Sequence, residues 1–349
     1  MNEHEQLTRR ALAELEAGRP VALISVMSIQ GSTPRREGTK MLVAADGTTS
    51  GTIGGSILEA SAADRAKDVL VSGKPEIMSI ELTGKEASDP AMICGGTATV
   101  LIDRIAPTGP DLELFRLWHG AAGRGAPFYL FTHLDRDRTR VLGHAIYLPE
   151  QDVFHGSSLS PDDLSDLKAE LHTVSVTSLL PLRDTLVMVD RIRKMKSLYC
   201  FGAGHVALPT ARLAALAGFS VVIIDDRPEF ATPERFPEAR EIIVADFKRS
   251  FDGLDIDADA FIVIVTRCHA TDRVVLEQAV RTDAGYIGMI CSRRKRDIIF
   301  ADLEAKGVPL AALEAVHSPI GLNIGAETPE EIAVSIIAEL IQVRAERSG

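Results

Sequence analysis

The sequence predicts a two-domain α/β protein, with a doubly wound parallel sheet in its C-terminal half and a mixed α+β domain in its N-terminal half. Three observations predict this. From Ser197 onward, short runs of consecutive apolar, β-branched residues alternate with segments of helical period. Such runs belong to parallel strands covered on both faces. Before that point, the strands are separated by hairpin turn signals rather than by regular helices. A chain of 349 residues also exceeds one core of ordinary size. The division falls in the basic stretch "RDTLVMVDRIRKMK", residues 183–196, giving domains 1–190 and 191–349.

The elements follow in order. A helix over residues 4–17 precedes the strand "PVALISVMSI". The loop "QGSTPRREGTK" leads to "MLVAADGTTSGTIGG", a hairpin whose turn is Asp46-Gly47. "SILEASAADRAKDVLVSG" is helical, and "EIMSIEL" and "TATVLID" are strands. After Pro110 the pattern weakens through helix and strand to residue 182. In the second half, "SLYCF", "SVVIIDD", "EIIVAD", "AFIVIVT" and "GYIGMI" are buried strands. The last helix starts at "ETPEE", where Thr328 caps, Pro329 fits the first turn and Glu331 closes a capping box.

Composition narrows the function. The net charge of -11 and a pI near 5.4 argue against a nucleic-acid binder. "SRRKR", from Ser292 to Arg296, reads as a solvated helix start against that acidic background. No apolar run reaches the roughly 18 residues of a membrane helix. The polar N-terminus has no secretion-signal pattern, so the expected location is cytoplasmic, with no membrane partner. Cys94, Cys200, Cys268 and Cys291 include no C-x-x-C pair and are expected as free thiols.

"FGAGHVA" places Gly202, Gly204 and Ala207 in G-x-G-x-x-A spacing between a strand and a helix. The first glycine permits the tight turn, the second lets a pyrophosphate approach, and the small third residue allows close helix–strand packing. The helix N-terminus presents N–H groups and a positive dipole end to a phosphate. This is a Rossmann-like arrangement. Asp225, 23 residues after Gly202, stands where a carboxylate accepts from a ribose hydroxyl. His205 either touches the phosphate or caps the helix. "TRCHATD" puts Arg267, Cys268 and His269 at another strand end, and "ICSRRKR" puts Cys291, Ser292 and Arg293 at the next. Ligands of open α/β sheets bind beyond these ends. Cys268 and Cys291 either face that crevice or are small residues packed inside.

The first half carries its own glycine-bearing segments. Gly31 and Arg35 lie in "QGSTPRREGTK", with Arg36 and Lys40 as further cations. Gly54-Gly55 precede a helix and form a second candidate anion seat, with Glu59 one turn in. Cys94 stands before Gly95-Gly96, where bare backbone lets a ligand approach a thiol. Such a thiol acts as thiolate once nearby cations or helix-end N–H groups lower its pKa.

Seven segments together resemble the XdhC/CoxI family: "QGSTPRREGTKMLV", "GTIGGSILEA", "CGG", "FGAGHVALPTARLAALAGFSVVIIDDRPEFATPERFP", "TRCHATD", "YIGMICSRRKR" and "PIGLNIGAETPEEIAVSIIAEL". The resemblance spans about Gly31 to Arg344 and is weakest over residues 105–195. It implies an accessory chaperone, not a classical enzyme. Such a protein binds molybdenum cofactor (molybdopterin), supports its sulfuration and delivers it to an apo xanthine dehydrogenase-type molybdoenzyme. It further implies Cys94 as the reactive thiol and candidate molybdenum ligand, a cysteine desulfurase as a second partner, and a homodimer. The family pattern has a thiol near the second segment, where this chain has Gly55-Ser56-Ile57, and glycine where it has Cys268 and Cys291, a shift that makes these two candidates to bind a metal or relay sulfur. Two narrower readings stand beside it. Gly202, Gly204, Ala207 and Asp225 fit an NAD(P)-dependent oxidoreductase with His269 or His317 moving the proton. The same crevice fits a nucleotide-sensing regulatory protein without catalysis.

Overall fold

The computed structural model describes residues 3–31, 35–81, 96–156 and 158–347. The chain forms two compact units, Asn2–Lys194 and Met195–Gly349.

The first unit holds two antiparallel sheets. Helix α1 (Glu3–Glu16) leads into β1 (Val21–Gln30), β2 (Lys40–Ala44) and β3 (Thr49–Gly51). The Asp46-Gly47 turn joins β2 to β3, with Gly47 at φ 82° and Asp46 Oδ1 accepting from the Thr48 N–H at 2.9 Å. Helix α2 (Ser56–Ser72), β4 (Glu76–Glu81) and β5 (Thr97–Ile105) complete a sheet of order β3-β2-β1-β5-β4. The second sheet follows α3 (Pro110–Arg124). It contains β6 (Phe128–Asp135), β7 (Val141–Leu148) and β8 (Val153–Gly156), then α4 (Pro161–Glu170), β9 (Thr177–Leu182) and β10 (Thr185–Ile192). Its order is β8-β7-β6-β10-β9. Leu7 and Leu15 of α1, Phe115 and Trp118 of α3, and residues of both sheets share one core.

The stretch expected as the boundary, residues 183–196, is mostly the strand β10, and the two units divide at its end, between Lys194 and Met195. β10 lies between β6 and β9, and its Val187, Met188, Val189 and Asp190 are buried. Asp190 is tolerated there because Lys40 meets it. Lys40 Nζ donates to Asp190 Oδ2 at 2.6 Å and to Ser25 Oγ at 3.0 Å, and Thr177 Oγ1 donates to Asp190 Oδ1 at 2.7 Å. A buried charge needs such a partner, since an unpaired one costs several kcal/mol. A second buried charge group stands nearby, with His144 3.0 Å from Asp103 and 3.2 Å from Asp111. Burial opposes its protonation, but the two carboxylates outweigh that and push His144 up to about 10.

The second unit is a parallel sheet of order β13-β12-β11-β14-β15. Its strands are β11 (Ser197–Phe201), β12 (Ser220–Asp225), β13 (Glu241–Val244), β14 (Ala260–Ile264) and β15 (Tyr286–Met289). One face packs on α5 (Ala207–Leu216) and α9 (Pro329–Glu346). The other packs on α6 (His269–Ala279), α7 (Arg293–Ala305) and α8 (Leu310–Glu314). The expected capping box at α9 is formed, as the Thr328 side chain accepts from the Glu331 N–H and Glu331 accepts from the Thr328 N–H. The strand order reverses at β11, so the crevice of an open α/β sheet lies beyond the ends of β11 and β14. No helix among the described residues is long and apolar enough to cross a membrane.

Candidate functional site

A cleft of about 360 Å³ occupies that crevice. Gly204, His205 and Val206 form one wall, Arg227 and Phe230 a second, and Val265 to Arg267 with Ile290 a third. The two glycines do different work. A Cβ on Gly202 would lie 2.4 Å from the Val265 carbonyl oxygen, and its φ is +116°, so only glycine fits between the strands. A Cβ on Gly204 would meet nothing within 4 Å, so the space beside this residue stays open. His205 is exposed on the cleft wall.

Asp225 is placed as a brace and not on the cleft wall. It is 1% exposed. Its Oδ2 accepts from the Ala203 N–H at 2.7 Å and from Arg227 Nη2 at 2.9 Å, while Oδ1 accepts from Arg227 Nε at 2.8 Å. Burial opposes its ionisation, yet the Arg227 fork and the backbone donors hold its carboxyl below the usual range. Both oxygens expected to meet a ribose are thus spent on fixing the glycine turn and orienting Arg227. The Arg227 guanidinium in turn lies 3.8 Å over the Phe230 ring. The next residue, Asp226, takes a bidentate fork from Arg267 at 2.6 and 2.8 Å.

In the first half, the Gly54-Gly55 turn forms no opening of this kind among the described residues. Gly54 and Gly55 have φ of 122° and 142° before α2. The anion seat they make is filled by Glu59 of the same helix, which accepts from the Thr52 hydroxyl and from the N–H groups of Ile53 and Gly54 at 3.1 and 3.3 Å. Partial burial works against its charge, but these donors prevail and lower its pKa. Gly31 is exposed at the end of β1, and Arg35 reaches Glu3 at 3.2 Å. Lys40, expected to supply positive charge, is spent on Asp190. A second cavity of about 260 Å³ is lined by Glu37 to Lys40 of this loop with Asp190 and Arg191, and within it the Lys40 and Asp190 charges already neutralise each other. Cys94 and Gly95 lie outside the described residues, and Gly96 is buried before β5.

Residues 198–340 match the model of the XdhC Rossmann domain, and residues 14–81 match that of the XdhC and CoxI family. The chain belongs to the XdhC/CoxI family. It is 27% identical to a probable xanthine dehydrogenase subunit of Bacillus subtilis, covering 95% of this chain and 96% of that one. It is 23% identical to the molybdenum cofactor insertion chaperone PaoD of Escherichia coli, over 98% and 89% of the two chains. It also matches YqeB of Escherichia coli at 27% identity, spanning 44% of that protein's length. A crystal structure of a xanthine dehydrogenase from Bacillus halodurans superposes with a TM-score of 0.80 at 27% identity, covering 99% and 97% of the chains.

The thiols of this XdhC/CoxI protein divide by environment. Cys200 is buried in the sheet, and burial first, then Asp225, push it up to about 12. Cys268 is exposed as the N-cap of α6, its Sγ 3.2 Å from Thr271 Oγ1. That hydroxyl, then the N–H groups of Thr271 and Ala270, lower its pKa. Cys291 is half-buried with its Sγ 3.0 Å from Ser318 Oγ. Among the described residues, no three His, Cys, Asp or Glu side chains gather to hold a metal ion. His269 opens α6, exposed. Ser292 caps α7 by accepting from the Lys295 N–H, and Arg293 is exposed beside it. Sequence reasoning missed three cleft groups: Arg227, Phe230 and Thr266. The signal for the first two was present in "DDRPEF", where an arginine and an aromatic follow the strand-end acids.

Proposed function

We propose that this protein is an accessory chaperone that binds molybdenum cofactor, supports its sulfuration and delivers it to a xanthine dehydrogenase-type molybdoenzyme. One observation carries the reading: this chain, which resembles one named as a cofactor-insertion chaperone along most of its length, builds a cleft suited to that cargo. The cofactor is a flat heterocycle bearing a phosphate and sulfur ligands. Phe230 with its stacked Arg227 suits the ring, and Arg267 with the α5 N-terminus suits the phosphate. The open space beside Gly204 leaves room for the cargo to reach the loop.

Molybdenum is a soft centre that favours thiolate. Cys94 is the proposed ligand and sulfur-handling residue, by its place in the family's "CGG" segment. Cys268, exposed and inclined to ionise, is the second choice. The proposed partners are the apo-molybdoenzyme and a cysteine desulfurase as sulfur source, with the chaperone acting as a cytoplasmic homodimer. The nicotinamide reading is not favoured by the position of Asp225, whose oxygens are already engaged.

Anaerobic purification from the native host, followed by metal analysis and pterin identification, tests the proposal. Molybdenum and pterin should copurify, and Cys94→Ser should lower the molybdenum content. Preparations that retain no molybdopterin even when it is supplied in excess would refute it.

A further inference from the structure

The ion pair between Asp226 and Arg267 has the geometry of a ligand contact made by the protein to itself. Both Asp226 oxygens face both terminal guanidinium nitrogens, at 2.6 and 2.8 Å. This fork is how arginine grips a phosphate. Asp226 follows β12 and Arg267 follows β14, and β11 lies between these strands. The pair therefore runs across the end of β11, beside the glycine loop. It is unlike the neighbouring Asp225–Arg227 pair. Asp225 is 1% exposed and fixed, whereas the side chains of Asp226 and Arg267 are 25% and 46% exposed. An exposed pair is held weakly and can exchange partners.

We propose that Asp226 is an internal stand-in for a ligand's phosphate, holding Arg267 until a phosphomonoester takes its place. The inference rests on the cleft being the cargo site, and it names what that site selects. A phosphomonoester brings close to two negative charges at neutral pH, against the single charge of Asp226. It can therefore replace the carboxylate in the fork. The linking phosphates of a dinucleotide carry about one charge each and match the carboxylate without bettering it. An extended dinucleotide must also cross the end of β11, where the pair stands. The volume of about 360 Å³ lies near the small end of ligand pockets, roughly 300–1,000 Å³. The favoured ligand is a compact phosphomonoester of a flat heterocycle, with its ring on the Phe230 side and its phosphate on Arg267.

Calorimetric titration of the full-length protein at low ionic strength tests this, with GMP, guanosine and NADH as probes. GMP should bind, while guanosine and NADH should bind at least tenfold more weakly. Asp226→Asn should tighten GMP binding about fivefold, the expected gain from freeing an exposed guanidinium, and leave guanosine unchanged. Arg267→Ala should weaken GMP tenfold or more, with Arg267→Lys between. Melting curves confirm folding, and Asp226→Ser serves as a second variant. GMP binding that is equal or weaker in both Asp226 variants overturns the stand-in role and leaves the cleft as a ligand site. No GMP binding by any form removes the cleft reading, and the stand-in role falls with it.

Discussion

The turns at Gly54-Gly55 and at Gly202 to Gly204 both precede helices, and they end in opposite states. The turn at Gly54-Gly55 is closed by Glu59, a carboxylate of its own helix that takes the turn's N–H groups. The turn at Gly202 to Gly204 is braced from beneath by Asp225 through the Ala203 N–H, and its helix-facing side opens into the cleft. The difference teaches that a glycine-rich helix start is a polar demand, not by itself a ligand site. The demand is met internally when an acid sits one turn along, and is left for a guest when the nearby acid lies behind the loop.

Four substitutions sharpen this contrast. Gly202→Ala should have the largest effect, because the new Cβ meets the Val265 carbonyl and the residue has positive φ. A loss of about 3 kcal/mol is expected in denaturant unfolding. Asp225→Asn should cost about 3 kcal/mol or slightly less at neutral pH by breaking a buried pair. Its pH dependence has a definite sign. The folded pKa is lowered, so the stabilisation is complete above the ordinary carboxylate value of about 3.9 and is lost as pH falls through the folded one. The gap between the native protein and Asp225→Asn should therefore narrow in acid, as urea midpoints measured from pH 7 downward would show.

Glu59→Ala should cost about 1 kcal/mol, the size of a lost helix-start contact. It should also open the vacated seat, so that phosphate raises the melting temperature of this variant more than that of the native protein. An equal rise in both would contradict the self-filled seat. Gly204→Ala should change stability by less than about 0.5 kcal/mol, since the added methyl meets nothing. It should nonetheless weaken GMP in calorimetry, because that methyl stands in the cleft. A large stability loss instead would show that the loop packs more tightly than described.

The second unit was the more legible in the sequence. Its parallel strands are buried on both faces and read as unbroken apolar runs, such as "SVVIID" and "AFIVI". The Thr328 cap was equally plain, because a capping box is local. What the sequence concealed depended on distant partners. That "TLVMVDRI" is a buried strand was hidden because its Asp190 needs Lys40, 150 residues away, to neutralise it. The spacing located Asp225 at its strand end correctly but could not show that Arg227, two residues on, would claim it. For the seat at Gly54-Gly55, Glu59 was visible, but which way its side chain turned was settled only by packing.

The Lys40–Asp190 pair also sets a schedule for synthesis. Lys40 is added to the growing chain 150 residues before its counter-charge. At about 5–20 residues per second, the nascent N-terminal half waits roughly eight to thirty seconds with an ammonium group that cannot yet be sealed inside. Slow codons placed between β2 and β10 would lengthen that exposure.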